Sequence, residues 1–518
     1  MFFKFRYPKG MIEHKWQIVN RLHVFRYMRI LGLLTILILL SFKVFPQYET
    51  PGTGVSWELT DLVSNSSGAV TFQDGIYFFN ENVLISAQDT FQILTDEIIK
   101  IGQGRLLTVL GVLLADPPEG IVFTAIDTTQ NFLGLRFEAS SASLLRKCKI
   151  EFGGGIKLID SDMIFENCIF RKNNVENSTG AINLFHSSPL ISYSEFYLNE
   201  GPAIMSGANS ESSPRVYFNT ISQNNTLNQN MPQINLGTSQ VNDSIWIVGN
   251  TIQGFYDNAG GIAVSTMAGG NLECVIQENI IVGNRYGIAV YGNSVSSVIE
   301  ANTILDNNIQ DDPMLGGSGI NFWGNETNVS IVSENTISGN LWGVTIQGTA
   351  QPNLGQIEPD TLNVGKNLIF ENGNGGDIFA LYNNTPNDIF AENNYWGTYN
   401  LDTVEMNIFH QPDDASLGFV DYLPIKDYIT SVPEVEINNT VLFEIYPNPA
   451  NNFINLVFNG DESLFREISI YNSTGKMVKS FKAEKQKLKL DIFVLPKGIY
   501  FLEIWNGEKI GFQKFIKD

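Results

Sequence analysis

Asp311 and Asp312 stand side by side, the only acidic doublet within the regular middle of the chain, and Arg285 occupies a turn one repeat earlier. Clustered carboxylates can hold Ca²⁺ and neutralise a uronic acid, and a neighbouring arginine can take the proton α to the sugar carboxyl. That is the equipment of a Ca²⁺-dependent lyase. Acid pairs in loops are also an ordinary solvated feature, so the three residues are candidates rather than a site. Trp323, Trp342, Tyr395 and Trp396 offer rings on which sugars could stack, although positions in or beside strands favour packing in the core or at a sheet edge. Of the four histidines, His14 and His23 precede an apolar segment near the start; His186 sits at a turn and His410 stands alone, so no zinc-ligand spacing exists. A Ser-His-Asp order, a phosphate loop and a dinucleotide fingerprint are all missing.

A repeat positions these side chains. The stretch ENTISGNLWGVTIQ (334–347) has short β-branched residues spaced by two and breaks at Gly and Asn, which predicts two short strands joined by a bend. ANTILDNN (301–308) with GSGINFWGN (317–325) follows the same pattern. So do ENIIVGNRYGIAVYGN (278–293), GNTIQGF (249–255) with GGIAV (260–264), FNTISQNN (218–225), and ENCIFRKNN (166–174) with GAINLF (180–185). KNLIFENGNGGDIFAL (366–381) and ENNYWG (392–397) close the series, and SEFYLNEGPAI (194–204) is a degenerate copy. The repeated asparagines align as Asn167, Asn219, Asn250, Asn279, Asn302, Asn335, Asn367 and Asn393, at spacings from the low twenties to the low thirties. A period of that size with strand-turn-strand units marks a stacked solenoid. One coil buries almost nothing alone, so each must pair edge to edge with its neighbours about 4.8 Å away. The Ile and Val then form inward columns. The Asn and Gly serve the bends, where left-handed backbone favours them and stacked Asn can hydrogen-bond as a ladder.

The series resembles the right-handed parallel β-helix of pectate-lyase-like proteins over roughly residues 75–425, with VLISAQDTFQILTDEIIKIGQGRLLTVLGVLLADP (83–117) similar to that family's first coils. The resemblance implies a right-handed parallel β-helix solenoid, and period-two alternation with turns at Gly475 and Gly498 predicts a small β-sandwich over 442–518, so the chain is expected to be all-β. A polygalacturonase-like hydrolase would add paired acids and that family's His-flanked Gly and Arg-Ile-Lys motifs, and neither motif occurs. The run at 393–425 resembles the closing segment of secreted β-helix proteins, so Asp413-Asp414 are expected to cap the last coil, where apolar columns and unpaired edges need cover.

Charge is unevenly spread over the 518 residues. The net is −22, yet residues 1–45 carry eight basic residues against one acid and residues 442–518 carry eleven against nine, which leaves 13 basic and 44 acidic residues in 46–441. So acidic a body repels nucleic-acid phosphates and excludes DNA or RNA as partners; it suits solubility outside a cell, and Ca²⁺ is a possible cofactor. Three cysteines are too few for a disulfide scaffold. Cys148 and Cys168 fall at similar places in successive coils and could stack or bridge, Cys274 is left over, and the expected role of all three is that of small buried hydrophobes.

At the start, MRILGLLTILILLSFKVFPQ (28–47) has a basic flank, an apolar run at Ile30–Leu40 and a polar exit, the layout of a secretory signal peptide, with Met28 an alternative start to Met1. The apolar run is too short for a membrane span, which needs about 20 residues, so no stable transmembrane span is expected in the mature form. At the end, Tyr446-Pro447-Asn448-Pro449, Tyr471-Asn-Ser-Thr-Gly475-Lys476, Leu495-Pro-Lys-Gly498-Ile-Tyr500 and a terminal Lys-Phe-Ile-Lys stand in order. They resemble the type A C-terminal sorting domain of the type IX secretion system of Bacteroidetes. The resemblance implies handling by the type IX machinery, passage through the periplasm and outer membrane, and release or surface attachment. The expected division is 1–46 N-terminal extension and signal peptide, 47–425 β-helix, 426–441 linker and 442–518 sorting domain. Asp127-Thr128 and Asp402-Thr403 resemble O-glycosylation sites of that phylum.

Two readings of the middle stay open. It is a non-catalytic module that binds a glycan or another surface ligand, or it is a polysaccharide lyase or glycoside hydrolase acting on acidic polysaccharides. The first leads, because the repeats account for nearly every residue and the catalytic signatures are missing.

Overall fold

The computed structural model describes residues 47–175, 180–358, 363–375, 379–426, 443–458, 466–472, 476–483, 487–505 and 510–518. The signal segment, nearly all of the linker and Gly475 lie outside the described residues. The chain forms two compact units, Met1–Asp427 and Tyr428–Asp518.

The first unit is a parallel β-helix with three long faces. One coil runs Ile288–Tyr291, Val295–Glu300, Thr303–Leu305, and the next begins at Ser318–Gly324. The first of these strands belongs to a 14-stranded sheet (sheet 1), the second to a 12-stranded sheet (sheet 2) and the third to a 13-stranded sheet (sheet 3). Apart from an opening hairpin of Val70–Gln73 with Ile76–Phe79, neighbouring coils pair in parallel. Register is strict, so like residues stack. On sheet 3 Ile252, Ile281, Ile304, Ile337 and Ile369 form one inward column, each fully buried. On sheet 1 Ile234, Ile262, Ile288, Ile320, Val344 and Leu381 form another. Each such side chain contributes about 1.5–3 kcal/mol by leaving water, and a slip of one residue would turn the whole set outward.

The bends carry two ladders of carboxamides. Between sheets 2 and 3, Asn219, Asn250, Asn279, Asn302, Asn335, Asn367 and Asn394 each donate from Nδ2 to the Oδ1 of the next, at 2.9–3.0 Å. The same Oδ1 atoms accept the backbone N–H of the preceding rung, as Asn302 Oδ1 does from Asn279 at 3.0 Å. Left-handed backbone falls one residue earlier, at Phe218, Glu278, Ala301, Glu334 and Lys366. The ladder asparagines therefore serve by hydrogen bonding and not by tolerating strain. Two expected rungs are displaced for this reason. Asn167 and Asn393 occupy the left-handed corner (φ 54° and 57°), and the rungs themselves are Cys168 and Asn394. Cys148, Cys168 and Cys274 are all buried free thiols.

Between sheets 3 and 1 a second ladder runs Asn173, Asn199, Asn224, Gln233, Asn284, Asn307, Asn340 and Asn372. Its fourth rung comes from a different turn. The chain has Gly254 there, with no room for a Cβ against Gly283 O, and Gln233 reaches in with its longer side chain to bridge Asn224 and Asn284.

The ends are closed by the two helices described in this unit. Leu59–Asn65 buries Leu59 and Leu62 and starts with a capping box between Glu58 and Asp61. Leu401–Met406 is capped by Asn400 and buries Val404. Around it His410 is fully buried: its Nδ1 accepts from Val420 N at 2.9 Å, so the proton rests on Nε2, which donates to Glu405 Oε1 at 3.2 Å. Asp413 accepts from His410 N, and Asp414 from the backbone and hydroxyl of Ser416, so both acids hold the closing turn.

The second unit has a three-stranded and a four-stranded antiparallel sheet, which share one core that includes Ile454, Leu456, Ile468, Leu502 and Phe515. Asn448, Gly498 and Tyr500 of the expected motif meet on the last strand, Ile510–Lys517. Asn448, between Pro447 and Pro449, accepts from Ile516 N at 2.8 Å and donates to Lys514 O at 3.1 Å. Tyr500 stacks on Phe515 and donates to Pro496 O, Lys476 N donates to Asn472 Oδ1, and Gly498 pairs with Lys517. Tyr446 is the exposed start of this cluster.

Candidate functional site: a groove along sheet 1

The outward face of sheet 1 holds a groove of about 610 Å³. Its floor is one outward column, Met205, Asn235, Ala263, Ala289 and Asn321, matched rung to rung. The two alanines leave the middle of the column low while the bends rise on either side. One wall is built from the sheet 3-to-sheet 1 bends, with Asn230, Pro232, Arg285, Tyr286, Leu315 and Gly316. The Tyr286 ring lies across Gly260, where any Cβ would collide with it. Burial pushes the Tyr286 hydroxyl up to about 12 against the pull of Arg285, so it stays a neutral donor.

A second outward column runs beside the first, two residues further along each strand: Ser265, Tyr291, Trp323 and Gln347, of which Ser265 and Tyr291 line the groove. Tyr291 and Trp323 stack with ring centroids 4.3 Å apart and planes 11° apart, and Trp323 is 39% exposed. Further along the same face Trp342, Phe379, Tyr382 and Phe409 pack together, with Trp342–Phe379 and Tyr382–Phe409 stacked. Trp342 Nε1 donates to Pro313 O at 3.0 Å, which ties this cluster to the 306–317 loop.

Of the four expected platform aromatics, Trp323 and Trp342 are on this face. Trp396 is buried in the core, and Tyr395 packs against Phe370 and Tyr399. Tyr291, Tyr382 and Phe409 complete the strip; aligning GIAVYG with GINFWG would have found the first.

The acidic candidates do not converge on Arg285. Asp312 Oδ1 accepts from Met314 N at 2.9 Å and its carbonyl accepts from Leu315 and Gly316, so it shapes its own loop. Asp311 is exposed at a left-handed position (φ 53°). Among the described residues no ion pair joins Arg285 to either, and no group of three or more His, Cys, Asp or Glu is placed to hold a metal. Arg285 instead bonds neutral acceptors: Gln310 Oε1 at 2.6 Å from Nε, Asn230 Oδ1, and Leu315 O. His186 is an exposed turn residue with φ 48°.

Residues 444–518 match the family described as a secretion system C-terminal sorting domain. Residues 200–400, which include every coil of the groove, match a family described as a protein of unknown function, DUF1565, which is of β-helix type. A search of curated proteins found no match. The sorting domain is that of type IX secretion, and it assigns the protein to the cell surface or the medium. Among the described residues no helix is long and apolar enough to cross a membrane.

Proposed function

We propose that the exported β-helix holds a polysaccharide chain along sheet 1, as a non-catalytic binding module at the cell surface. The observation that carries this reading is the Tyr291–Trp323 stack, exposed at the end of a groove that crosses five coils. Coils about 4.8 Å apart present equivalent outward positions at a constant step, which suits a polymer of repeating rings better than a compact small molecule. Aromatic faces bind sugar rings with large contact area, and the neighbouring amides of Asn235 and Asn321 supply hydrogen bonds. Asp311 and Asp312, neither of which pairs with Arg285, favour holding over cleavage. The same proposal takes residues 1–46 as N-terminal extension and export signal, 47–425 as the binding body, 426–441 as linker and 442–518 as the delivery domain of a Bacteroidetes protein.

The test is affinity electrophoresis of the mature exported protein through gels containing neutral or acidic polysaccharides. At least one polysaccharide is expected to retard the protein, and Trp323→Ala is expected to restore mobility while the melting temperature stays close to wild type. Unretarded migration in every gel would refute the binding role. Release of unsaturated products or new reducing ends from the retained polymer would replace it with catalysis.

A further inference from the structure

We infer that the ligand of this groove is anionic and that the guanidinium of Arg285 seats a carboxylate or sulfate carried by the sugar chain. This rests on the polysaccharide reading above and adds the chemical class. The other described arginines of the β-helix each meet a carboxylate: Arg105 with Glu81, Arg136 with Glu138, Arg146 with Asp116 and Glu166, Arg171 with Glu151, and Arg215 with Asp243. Arg285 alone has none, and it is the arginine that lines the groove.

It is also the most deeply placed of them, only 8% exposed. Its surroundings are neutral over several coils. Gln310, which accepts from its Nε, is held by Asn258 at 3.2 Å, and Asn258 is held by Asn228. The carboxylates on the same loops, Asp257, Asp306, Asp311 and Asp312, make no ion pair with it. An arginine cannot shed its charge, and a buried cation without a counter-ion is costly, so a chain this rich in acids would be expected to place one there for stability alone. The charge is left for something that arrives.

The geometry suits an oxyanion. Three of the five N–H groups are taken, one each on Nε and the two terminal nitrogens, which leaves one N–H on each terminal nitrogen. Those two N–H groups are the donors left for the oxygens of a carboxylate or sulfate. The backbone fixes its position, since Arg285 N donates to Ala259 O at 2.9 Å and Arg285 O accepts from Gly317 N at 2.7 Å. Held this way and permanently protonated, Arg285 anchors an anion and does not remove a proton.

The test uses the mature exported protein and oligosaccharides of glucan, mannan and galactan backbones, each in neutral, uronate and sulfate-ester form, with affinities measured by calorimetry. Wild type is expected to bind one acidic form about tenfold or more tighter than its neutral counterpart. Comparing the uronate and sulfate arms identifies which anion is read. Arg285→Gln is expected to bring the acidic affinity down to the neutral one, and Arg285→Lys to keep part of the preference. Because Arg285 also ties three coils together, the wild-type preference is the primary readout and needs no variant. Equal wild-type affinity for neutral and acidic forms would overturn the proposal and leave polysaccharide binding standing. Full preference in a folded Arg285→Gln would overturn it equally. No binding to any member would remove both the anion seat and the reading beneath it.

Discussion

Asn302 accepts two hydrogen bonds from Asn279 through one oxygen, and its two side-chain N–H groups are shared among Ile276 O, Glu300 O and Asn335 Oδ1, all at 2.8–3.1 Å. It is buried, so each partner left unmet costs about 1–3 kcal/mol. Asn302→Leu is therefore expected to lower stability by about 2 kcal/mol or more, read as a drop in urea midpoint; an unchanged midpoint would mean the ladder is decoration. Ionisable groups give a second expectation. Burial pushes Cys274, Tyr286 and Tyr422 up to about 12, with Glu405 adding to the rise at Tyr422. A group whose value is raised by folding keeps its proton after the unfolded chain has released it, so the native state loses ground only as pH climbs. The urea midpoint is expected to show no contribution from these groups below about pH 9, and to fall between there and about pH 12. A midpoint that rose over that window would contradict their burial.

Among the elements, the coils were legible because packing demands are local and repeated. GGIAV, YGIAV, SGINF and WGVTI share a glycine before the first inward residue, and the structure supplies the reason. A Cβ at Gly287 would lie 2.4 Å from Gly319 O on the next coil, and one at Gly319 2.8 Å from Gly343 O. Those glycines answer a close approach between coils. The ladder register was harder to read, because Glu166-Asn167-Cys168 and Asn393-Asn394 place an asparagine at the corner beside the true rung. Gln233 was invisible as a rung, since it enters from another turn. The groove was legible only in its aromatics. Arg285 owes its setting to Asn230 and Gln310, which lie 55 and 25 residues away, and no spacing rule announces amides gathered from three coils. The inward columns make the sharpest element-level prediction. Ile337 is fully buried between Ile304 and Ile369, so Ile337→Asp is expected to cost about 4–5 kcal/mol or to prevent folding. A soluble variant that melts like wild type would contradict the packing.

For the whole molecule, delivery lies with the C-terminal unit, and binding is the task proposed for the first. The C-terminal unit uses its motif residues on its own architecture: Asn448, Tyr500 and the 514–517 strand bond to each other. Deleting residues 442–518 is thus expected to leave a folded β-helix trapped in the periplasm, as seen by cell fractionation. Normal appearance of the truncated protein at the surface would overturn its role as the address. The three sheets of the first unit are alike in core and differ in what they face outward, and among the described residues only sheet 1 combines a groove, an exposed aromatic stack and an arginine without a carboxylate partner. The most direct measurement is hydrogen exchange of the mature protein with and without the polysaccharide that retains it. The account predicts protection concentrated at 205–208, 230–237, 285–291 and 315–323, the floor and wall of the groove. Protection confined to sheet 2, sheet 3 or the closing turns, with these segments unchanged, would contradict it.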